Sequence, residues 1–118
     1  LLATVRVVDY NPEVIKQLKA RGIDAVFGDL ASLDTLHHAH LEHARVVIST
    51  IPDSLLKSTT NAALVRAVRT LAPTAQIIVP AETPEQEPAL RAAGADQVVL
   101  PSSLVGHELV RLIEQVEV

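Results

Sequence analysis

The segment from Val5 to Pro12 constrains the fold of this chain more than any other. It is a run of mostly β-branched residues that ends on the carboxylate of Asp9 and continues into a turn residue and a proline. This pattern is typical of a buried strand that leads into a helix. If the strand belongs to a parallel sheet, Asp9 lies at its carboxyl end, which is the edge where open α/β sheets bind ligands.

The same order of strand and helix repeats to the end of the chain. We expect strands at 5–9, 23–28, 45–51, 76–80 and 96–101, and helices at 11–21, 32–44, 54–71 and 84–93 and from Ser102 or Ser103 onward. Strict alternation indicates the α/β class, a Rossmann-like doubly wound parallel sheet with right-handed crossovers. The continuous apolar run at 46–48 predicts a strand buried on both faces. A length of 118 residues fits a single domain, 1–118.

Composition removes several classes of function. A net charge of −4 and an aromatic content of 2% give no basis for binding nucleic acid by charge or by base stacking. The chain has no cysteine, and therefore no disulfide, thiolate metal site or cysteine nucleophile. No apolar run approaches the roughly 18 residues of a membrane-spanning helix.

An acid in the position of Asp9 accepts hydrogen bonds from the adenosine ribose in dinucleotide-binding folds. The Gly-rich turn that should precede it is missing, because none of the four glycines is spaced as G-x-G-x-x-G. In the usual strand order, the strand with that turn lies between the strand of Asp9 and the strand of Val46 to Ile48. We therefore expect a domain truncated at its N-terminus, cut from a longer protein. Its sheet centre would be closed by direct pairing of the two flanking strands or by a partner's strand.

Two other candidate sites are weaker. His37, His40 and His43 have a spacing that could form a metal pair on a helix, but no third ligand of fixed geometry is evident. Ser49 and Thr50 lack the G-x-S-x-G context of a nucleophile. We therefore predict no metal site and no catalytic residue.

The final helix carries more apolar residues than one sheet face needs, among them Leu109, Leu112 and Ile113. Part of this helix is expected to pack on a partner or on a further domain.

Three features spread over nearly the whole chain resemble one family. They are Gly28-Asp29, the segment Thr50-Ile51-Pro52-Asp53, and the ending that begins Leu90-Arg91 and continues through Gly94-Ala95-Asp96. Together with the acid at Asp9, they resemble the N-lobe of the RCK or TrkA-N family, the Rossmann-like cytosolic regulatory domains of bacterial potassium channels, uptake systems and monovalent cation:proton antiporters. The tripeptide Ile51-Pro52-Asp53 most resembles the corresponding sequence in the Kef-type antiporter branch.

The resemblance implies a nucleotide site. Asp9 would hold the ribose hydroxyls of NAD(H) or of an adenine nucleotide such as AMP or ATP, Asp29 and Leu30 would line the adenine, and Thr50 and Ile51 would border the phosphates. The cofactor-binding residues it implies are Asp9, Tyr10, Asp29, Leu30, Thr50 and Ile51. Because no residue here matches the Gly-rich turn, binding by this piece should be weak or absent.

The resemblance also implies a function without catalysis. The domain would regulate a bacterial potassium or monovalent cation transport protein from the cytoplasmic side of the inner membrane, as a homodimer acting on a transmembrane ion-transport domain of the same or a partner chain. Two alternatives stay open. The first is that the chain is the cofactor domain of an NAD-dependent dehydrogenase, because Asp9 alone does not distinguish a ligand-sensing domain from a hydride-transfer enzyme. The second is that the chain is a dimerisation scaffold without ligand.

Overall fold

The computed structural model describes residues 6–9, 11–29, 32–56 and 59–116. Within these ranges five strands alternate with five α-helices, as the sequence predicts. The strands are β1 (Arg6–Asp9), β2 (Asp24–Phe27), β3 (Val46–Ile48), β4 (Gln76–Pro80) and β5 (Gln97–Val99). The helices are α1 (Pro12–Ala20), α2 (Leu33–His38), α3 (Asn61–Leu71), α4 (Glu87–Ala93) and α5 (Pro101–Val116). The predicted α/β parallel fold is confirmed.

The strands form two sheets instead of one. β1 pairs with β2 in parallel, with Arg6 opposite Asp24 and Asp9 opposite Phe27. A separate sheet has the order β3-β4-β5, also parallel, with Val46 opposite Gln76. Direct pairing of β1 with β3, one of the two ways in which we expected the sheet centre to close, is therefore not formed among the described residues.

The prediction that β3 is buried on both faces is wrong. Val46 and Ile48 are 53% and 60% exposed, whereas Val47 packs against the core. Residues of a strand alternate between the two faces of a sheet. β3 is therefore covered on the face of Val47 and open on the face of Val46 and Ile48.

Two predicted helices are shorter than expected. The segment 32–44 forms α2 and then a short 3-10 helix, Leu41–His43, because His40 adopts a left-handed backbone with φ of 56°. The segment 54–71 forms a 3-10 turn at Asp53–Leu55, and α3 begins only at Asn61, capped by the side chain of Thr60. The last helix begins at Pro101, one residue before the predicted serine caps.

The core lies between α3, α4 and the three-stranded sheet. Its buried members are Val65, Val68, Ile77, Val79, Ala81, Leu90 and Ala95. Beside it, the Arg69 guanidinium donates to the carbonyl oxygens of Ala75 and Gly94 and forms an ion pair of 2.8 Å with Asp96. The Asp96 carboxylate also accepts the Ile77 N–H at 2.8 Å. These bonds fasten the C-terminal part of α3 to the entrances of β4 and β5.

No helix in the described part of the chain combines the length and the apolar content that crossing a membrane requires.

Candidate functional site

Asp9 ends β1 and is held in a defined orientation. Its Oδ1 atom accepts the N–H of Asn11 at 2.8 Å, and the Asn11 side chain in turn accepts the N–H of Glu13 at 3.0 Å. These two bonds turn the chain sharply from β1 into α1. The second of them, from the Glu13 N–H to the Asn11 side chain, is the N-cap of α1. The half-buried Asp9 carboxylate thus lies at the carboxyl end of a parallel strand, as predicted.

Asp29 lies at the same end of the same sheet, because β2 ends at Phe27 opposite Asp9. Between them, Gly28 donates its N–H to the Asp9 carbonyl at 3.0 Å. A side chain at Gly28 would place its Cβ 2.5 Å from the Cγ2 atom of Thr35 on α2. The glycine therefore allows α2 to pack closely behind the strand end where Asp29 is exposed.

Thr50 and Ile51 follow β3, at the end of the other sheet. Thr50 is exposed and Ile51 is partly buried. The loop that carries them is fixed by Asn61, the fully buried first residue of α3. The Asn61 side-chain amide donates to the Ile51 carbonyl at 2.8 Å and to Asp53 Oδ1 at 2.9 Å, and its oxygen accepts the Ser49 hydroxyl.

The predicted site residues are thus divided between two places. Asp9 and Asp29 share one sheet end, and Thr50 and Ile51 occupy the end of the other sheet. Tyr10 and Leu30 lie outside the described residues. The six predicted ligand contacts stay predictions. The structure places Asp9 at the last position of β1 and Asp29, Thr50 and Ile51 in loops that follow strands.

The carboxyl ends of the strands and the loops that follow them carry negative charge. Besides Asp9 and Asp29, they include Asp53 after β3 and Glu82 after β4, whose Oε1 atom accepts the Ser54 N–H at 3.0 Å. The described residues of these loops, 28–29, 49–56 and 81–86, include no lysine or arginine. The described residues of these loops thus offer acceptors for hydroxyl groups and no cationic donor for a charge-assisted bond to phosphate.

The histidine segment does not have the helical geometry that a metal pair would use. α2 ends at His38, and His40 lies in the left-handed turn that follows. Two histidine nitrogens approach the exposed Glu42 carboxylate, His40 Nδ1 at 3.7 Å and His43 Nε2 at 4.0 Å. A hydrogen bond from its own backbone and the neighbouring histidines lower the pKa of Glu42. No group of three metal-ligating side chains occurs within the described ranges.

A shallow groove between α2 and α3 lies apart from these loops. Its lining consists of His37, Arg66, Ala67, Thr70 and Leu71. None of the predicted ligand-binding residues contributes to it.

Neither the role of Asn61 nor the approach of Gly28 to Thr35 is apparent from the sequence. The predicted helix 54–71 places Asn61 in its interior, where an asparagine is ordinary at a solvent-facing position. The signal that could have found it is the pair Thr60-Asn61 before a helical apolar pattern, since threonine is a preferred N-cap.

The parallel fold, with an acid at the end of β1, defines the class of Rossmann-like α/β domains. A family model of the TrkA-N domain matches residues 2–101, and the chain belongs to the TrkA-N domain family. The resemblance to the RCK and TrkA-N family is thereby confirmed.

One relative is named as a cation transport protein. The chain is 28% identical over 108 residues to the protein named "Putative cation/proton antiporter YbaL" of Escherichia coli (strain K12). The match covers 92% of this chain and 19% of YbaL, so the chain spans about a fifth of that relative. The crystal structure of the TrkA-N domain of the inner membrane protein YbaL superposes with a TM-score of 0.80 at 27% identity, covering 91% of this chain and 76% of that one.

Two structures of GsuK are also similar. The GsuK channel bound to NAD matches with a TM-score of 0.67 at 30% identity, over 80% of this chain and 16% of that one. GsuK bound to ADP matches with a TM-score of 0.74 at 30% identity, over 88% of this chain and 26% of that one.

Proposed function

We propose that this chain is a ligand-sensing regulatory domain of a bacterial potassium or monovalent cation transport protein, and that its ligand is NAD(H) or an adenine nucleotide. Membership in the TrkA-N family supports the transport setting, and the GsuK structures with NAD and ADP support the ligand class. The observation that carries the proposal is the position of Asp9 at the carboxyl end of β1.

The geometry suits the sugar of a nucleotide. A ribose presents two vicinal hydroxyl groups, and a carboxylate can accept a hydrogen bond from each of them. Because the turn to Asn11 already orients Asp9, little ordering of this side chain is needed on binding. The same negative charge repels the 2′-phosphate of NADP(H), so the site should prefer NAD(H) over NADP(H).

Affinity should be low for the 118 residues alone. No residue of the chain matches the Gly-rich turn whose N–H groups could bind the phosphates. We expect the ribose and adenine to contact Asp9 and Asp29, with the phosphates lying toward Thr50 and Ile51.

The proposed regulation acts through partners. The domain would work on the cytoplasmic side of the inner membrane as a homodimer, next to a transmembrane ion-transport domain of the same or a partner chain. A nucleotide that binds one arrangement of the paired domains more tightly would shift the population toward it and bias the transporter. No chemical step is required, and we propose that the domain is not an enzyme.

A titration followed by backbone NMR tests the nucleotide site in the chain itself. This method detects millimolar binding. Addition of NAD⁺ should shift the amides of Asp9, Asp29 and Thr50, while NADP⁺ should shift them several-fold less at equal concentration. Shifts confined to other residues, or equal responses to both dinucleotides, would contradict the proposal.

Asp9→Asn is the informative variant. The amide oxygen of asparagine can still accept the Asn11 N–H, so the turn is retained while the charge is lost. The variant should weaken NAD⁺ binding about tenfold, the effect of one charge-assisted hydrogen bond. Asp24→Asn, at the opposite end of the same sheet, is the matched control and should bind as the unaltered chain does.

The regulatory part is tested in a transporter that carries this domain. Cation flux into proteoliposomes should depend on NAD(H) or AMP, and Asp9→Asn should shift that dependence to higher nucleotide concentration. Flux that ignores nucleotide while the domain binds it would remove the regulatory role and keep the binding site.

A scaffold that dimerises without ligand is a second candidate, favoured by the exposed apolar surface of α5. An absence of any nucleotide response, together with stable dimerisation, would support it over the sensor.

A further inference from the structure

The groove between α2 and α3 has no part in the proposed nucleotide site. Its volume is about 350 Å³, which lies within the usual range for sites that hold small organic molecules. One wall is formed by His37 of α2, and the rest of the lining comes from α3. A molecule in this groove would therefore contact both helices.

The lining residues of α3 form two parallel rows along the helix. Residues four positions apart share a face of a helix, so Arg66 and Thr70 form one row, and Ala67 and Leu71 form the other. Arg66 and Thr70 are exposed, whereas Ala67 and Leu71 are partly buried. The groove therefore has an apolar floor and a polar rim.

The rim offers hydrogen-bond donors for a ligand. Within the described ranges, no ion pair and no side-chain hydrogen bond involves the Arg66 guanidinium or the His37 ring. Glu42 acts on His37 through its charge but forms no ion pair with it. The Thr70 hydroxyl donates to the Arg66 carbonyl at 3.0 Å, which leaves its oxygen as an acceptor. A guanidinium and an imidazole N–H together match the two oxygens of a carboxylate.

From this floor and rim we infer that the groove is a second ligand site, which takes a small molecule with an apolar body and a single carboxylate. The body covers Ala67 and Leu71, and the carboxylate accepts hydrogen bonds from Arg66 and His37. A bond between a guanidinium and a carboxylate is charge-assisted and geometrically specific, so it fixes the orientation of the ligand.

A protein partner fits this groove less well than a small molecule does. Arg66 and Thr70 are the exposed residues of α3, and none of the exposed large apolar side chains lies on that helix. A stable protein interface buries about 800 Å² on each partner around an apolar centre. The floor of Ala67 and Leu71 supplies far less apolar surface than such an interface needs.

The two helices of the groove also hold the two halves of the nucleotide site. On α2, Thr35 packs behind Gly28, next to Asp29. On α3, Asn61 holds the Ile51 carbonyl at 2.8 Å. A ligand that bridges the helices favours one spacing between them, and with it one arrangement of the two strand ends. This coupling rests on the proposed function, whereas binding in the groove does not.

Backbone NMR of the 118-residue chain with octanoate tests the groove. Octanoate should shift the amides of His37, Ala67 and Leu71. Octanamide has the same shape without the charge and should bind about tenfold more weakly, because it lacks the charge-assisted bond to Arg66. Equal responses to the two compounds, or shifts confined to the exposed apolar residues of α5, would overturn the inference.

Two variants separate the rim from the floor. Arg66→Gln should weaken octanoate binding about tenfold, to the level of octanamide. Ala67→Leu keeps the charge but fills the floor, so it should prevent the binding of both compounds. Arg21→Gln and Ala92→Leu make the same changes at exposed positions outside the groove and should bind octanoate as the unaltered chain does. Unchanged octanoate binding in Ala67→Leu would overturn the inference.

Titrations with both ligands measure the coupling. Saturating octanoate should change the affinity for NAD⁺ by about fivefold, and NAD⁺ should change the affinity for octanoate by the same factor. Two sites that bind independently would reject the coupling. An octanoate response without any NAD⁺ response would reject the proposed function and keep the groove, and an NAD⁺ response without any octanoate response would do the reverse.

Discussion

The two sheets of this domain differ in how much of the core each one holds. The three-stranded sheet is covered by α3 and α4, and Val65, Ile77 and Ala81 there are 1% exposed. The two-stranded sheet has Ala25 as its one buried strand residue within the described ranges. Asp9, on which the proposed recognition depends, belongs to the less covered sheet.

This difference in burial indicates that the two sheets have different roles. The three-stranded part supplies most of the stability, while the two-stranded part presents an oriented carboxylate on a surface that can adjust to a ligand. Elements with few buried contacts open locally at low free energy, which is the property that a ligand-responsive region needs.

The largest expected effect comes from matched isoleucines in the two regions. Ile77→Ala should lower the free energy of unfolding by about 4 kcal/mol, because it empties a fully enclosed site in the core. Ile15→Ala, on α1 beside the two-stranded sheet, should cost about 2 kcal/mol, since the loosely covered region can collapse around the cavity. Urea denaturation measures both, and equal losses would contradict the comparison.

Two asparagines give the next largest contrast. Asn61→Ala should cost about 2 kcal/mol, because it leaves the Ser49 hydroxyl and the Ile51 carbonyl without their buried partner. Asn11→Ala removes an exposed N-cap and should cost about 1 kcal/mol. Thermal unfolding of both variants measures the two losses of stability. A larger loss for Asn11→Ala than for Asn61→Ala would contradict this prediction.

The close approach behind Gly28 predicts a smaller effect that depends on one neighbour. Gly28→Ala should cost about 1.5 kcal/mol, since the new methyl group overlaps Thr35. Thr35→Ala removes the two overlapping atoms, so the double variant should recover about half of that cost. A double-mutant cycle in urea measures the coupling, and additive effects would show that the two sites do not interact.

The smallest effect is a pH dependence in the better-packed region. Hydrogen bonds from the Ile77 N–H and then from Arg69 lower the pKa of Asp96. A carboxylate with a lowered pKa in the folded state stabilises the fold above its ordinary pKa, and this contribution disappears as the pH falls through the folded-state value. The urea midpoint of Asp96→Asn should therefore lie below that of the unaltered chain at pH 7, and the gap should narrow below pH 4. A gap that stays constant with pH would contradict this role, and Asp24→Asn, in an exposed ion pair, should change little.

Local patterns predicted the elements of this fold but not their assembly. Apolar periodicity, prolines and glycines predicted the alternation of strand and helix. They also predicted both ends of the strand Gln76–Pro80. The end of α2 before His40 could not be predicted in this way, because no proline or glycine lies there. The helix ends where the backbone of His40 becomes left-handed. The division into two sheets and the exposure of Val46 and Ile48 depend on long-range neighbours, which one strand's sequence does not encode.

The candidate site was predictable to the extent that it depends on strand ends. Asp9 and Asp29 share one end because parallel strands bring their carboxyl ends together. The Asn61 network was not predictable, because its partners Ser49, Ile51 and Asp53 come from a loop that only the folded chain brings against α3.

A crystal structure of the chain grown with millimolar NAD⁺ would show whether Asp9 binds the adenosine ribose. We expect both ribose hydroxyls of the adenosine to lie about 2.6–2.9 Å from the Asp9 carboxylate oxygens, with the adenine near Asp29. A dinucleotide held in the groove of His37 and Thr70, or an adenosine ribose turned away from Asp9, would contradict it.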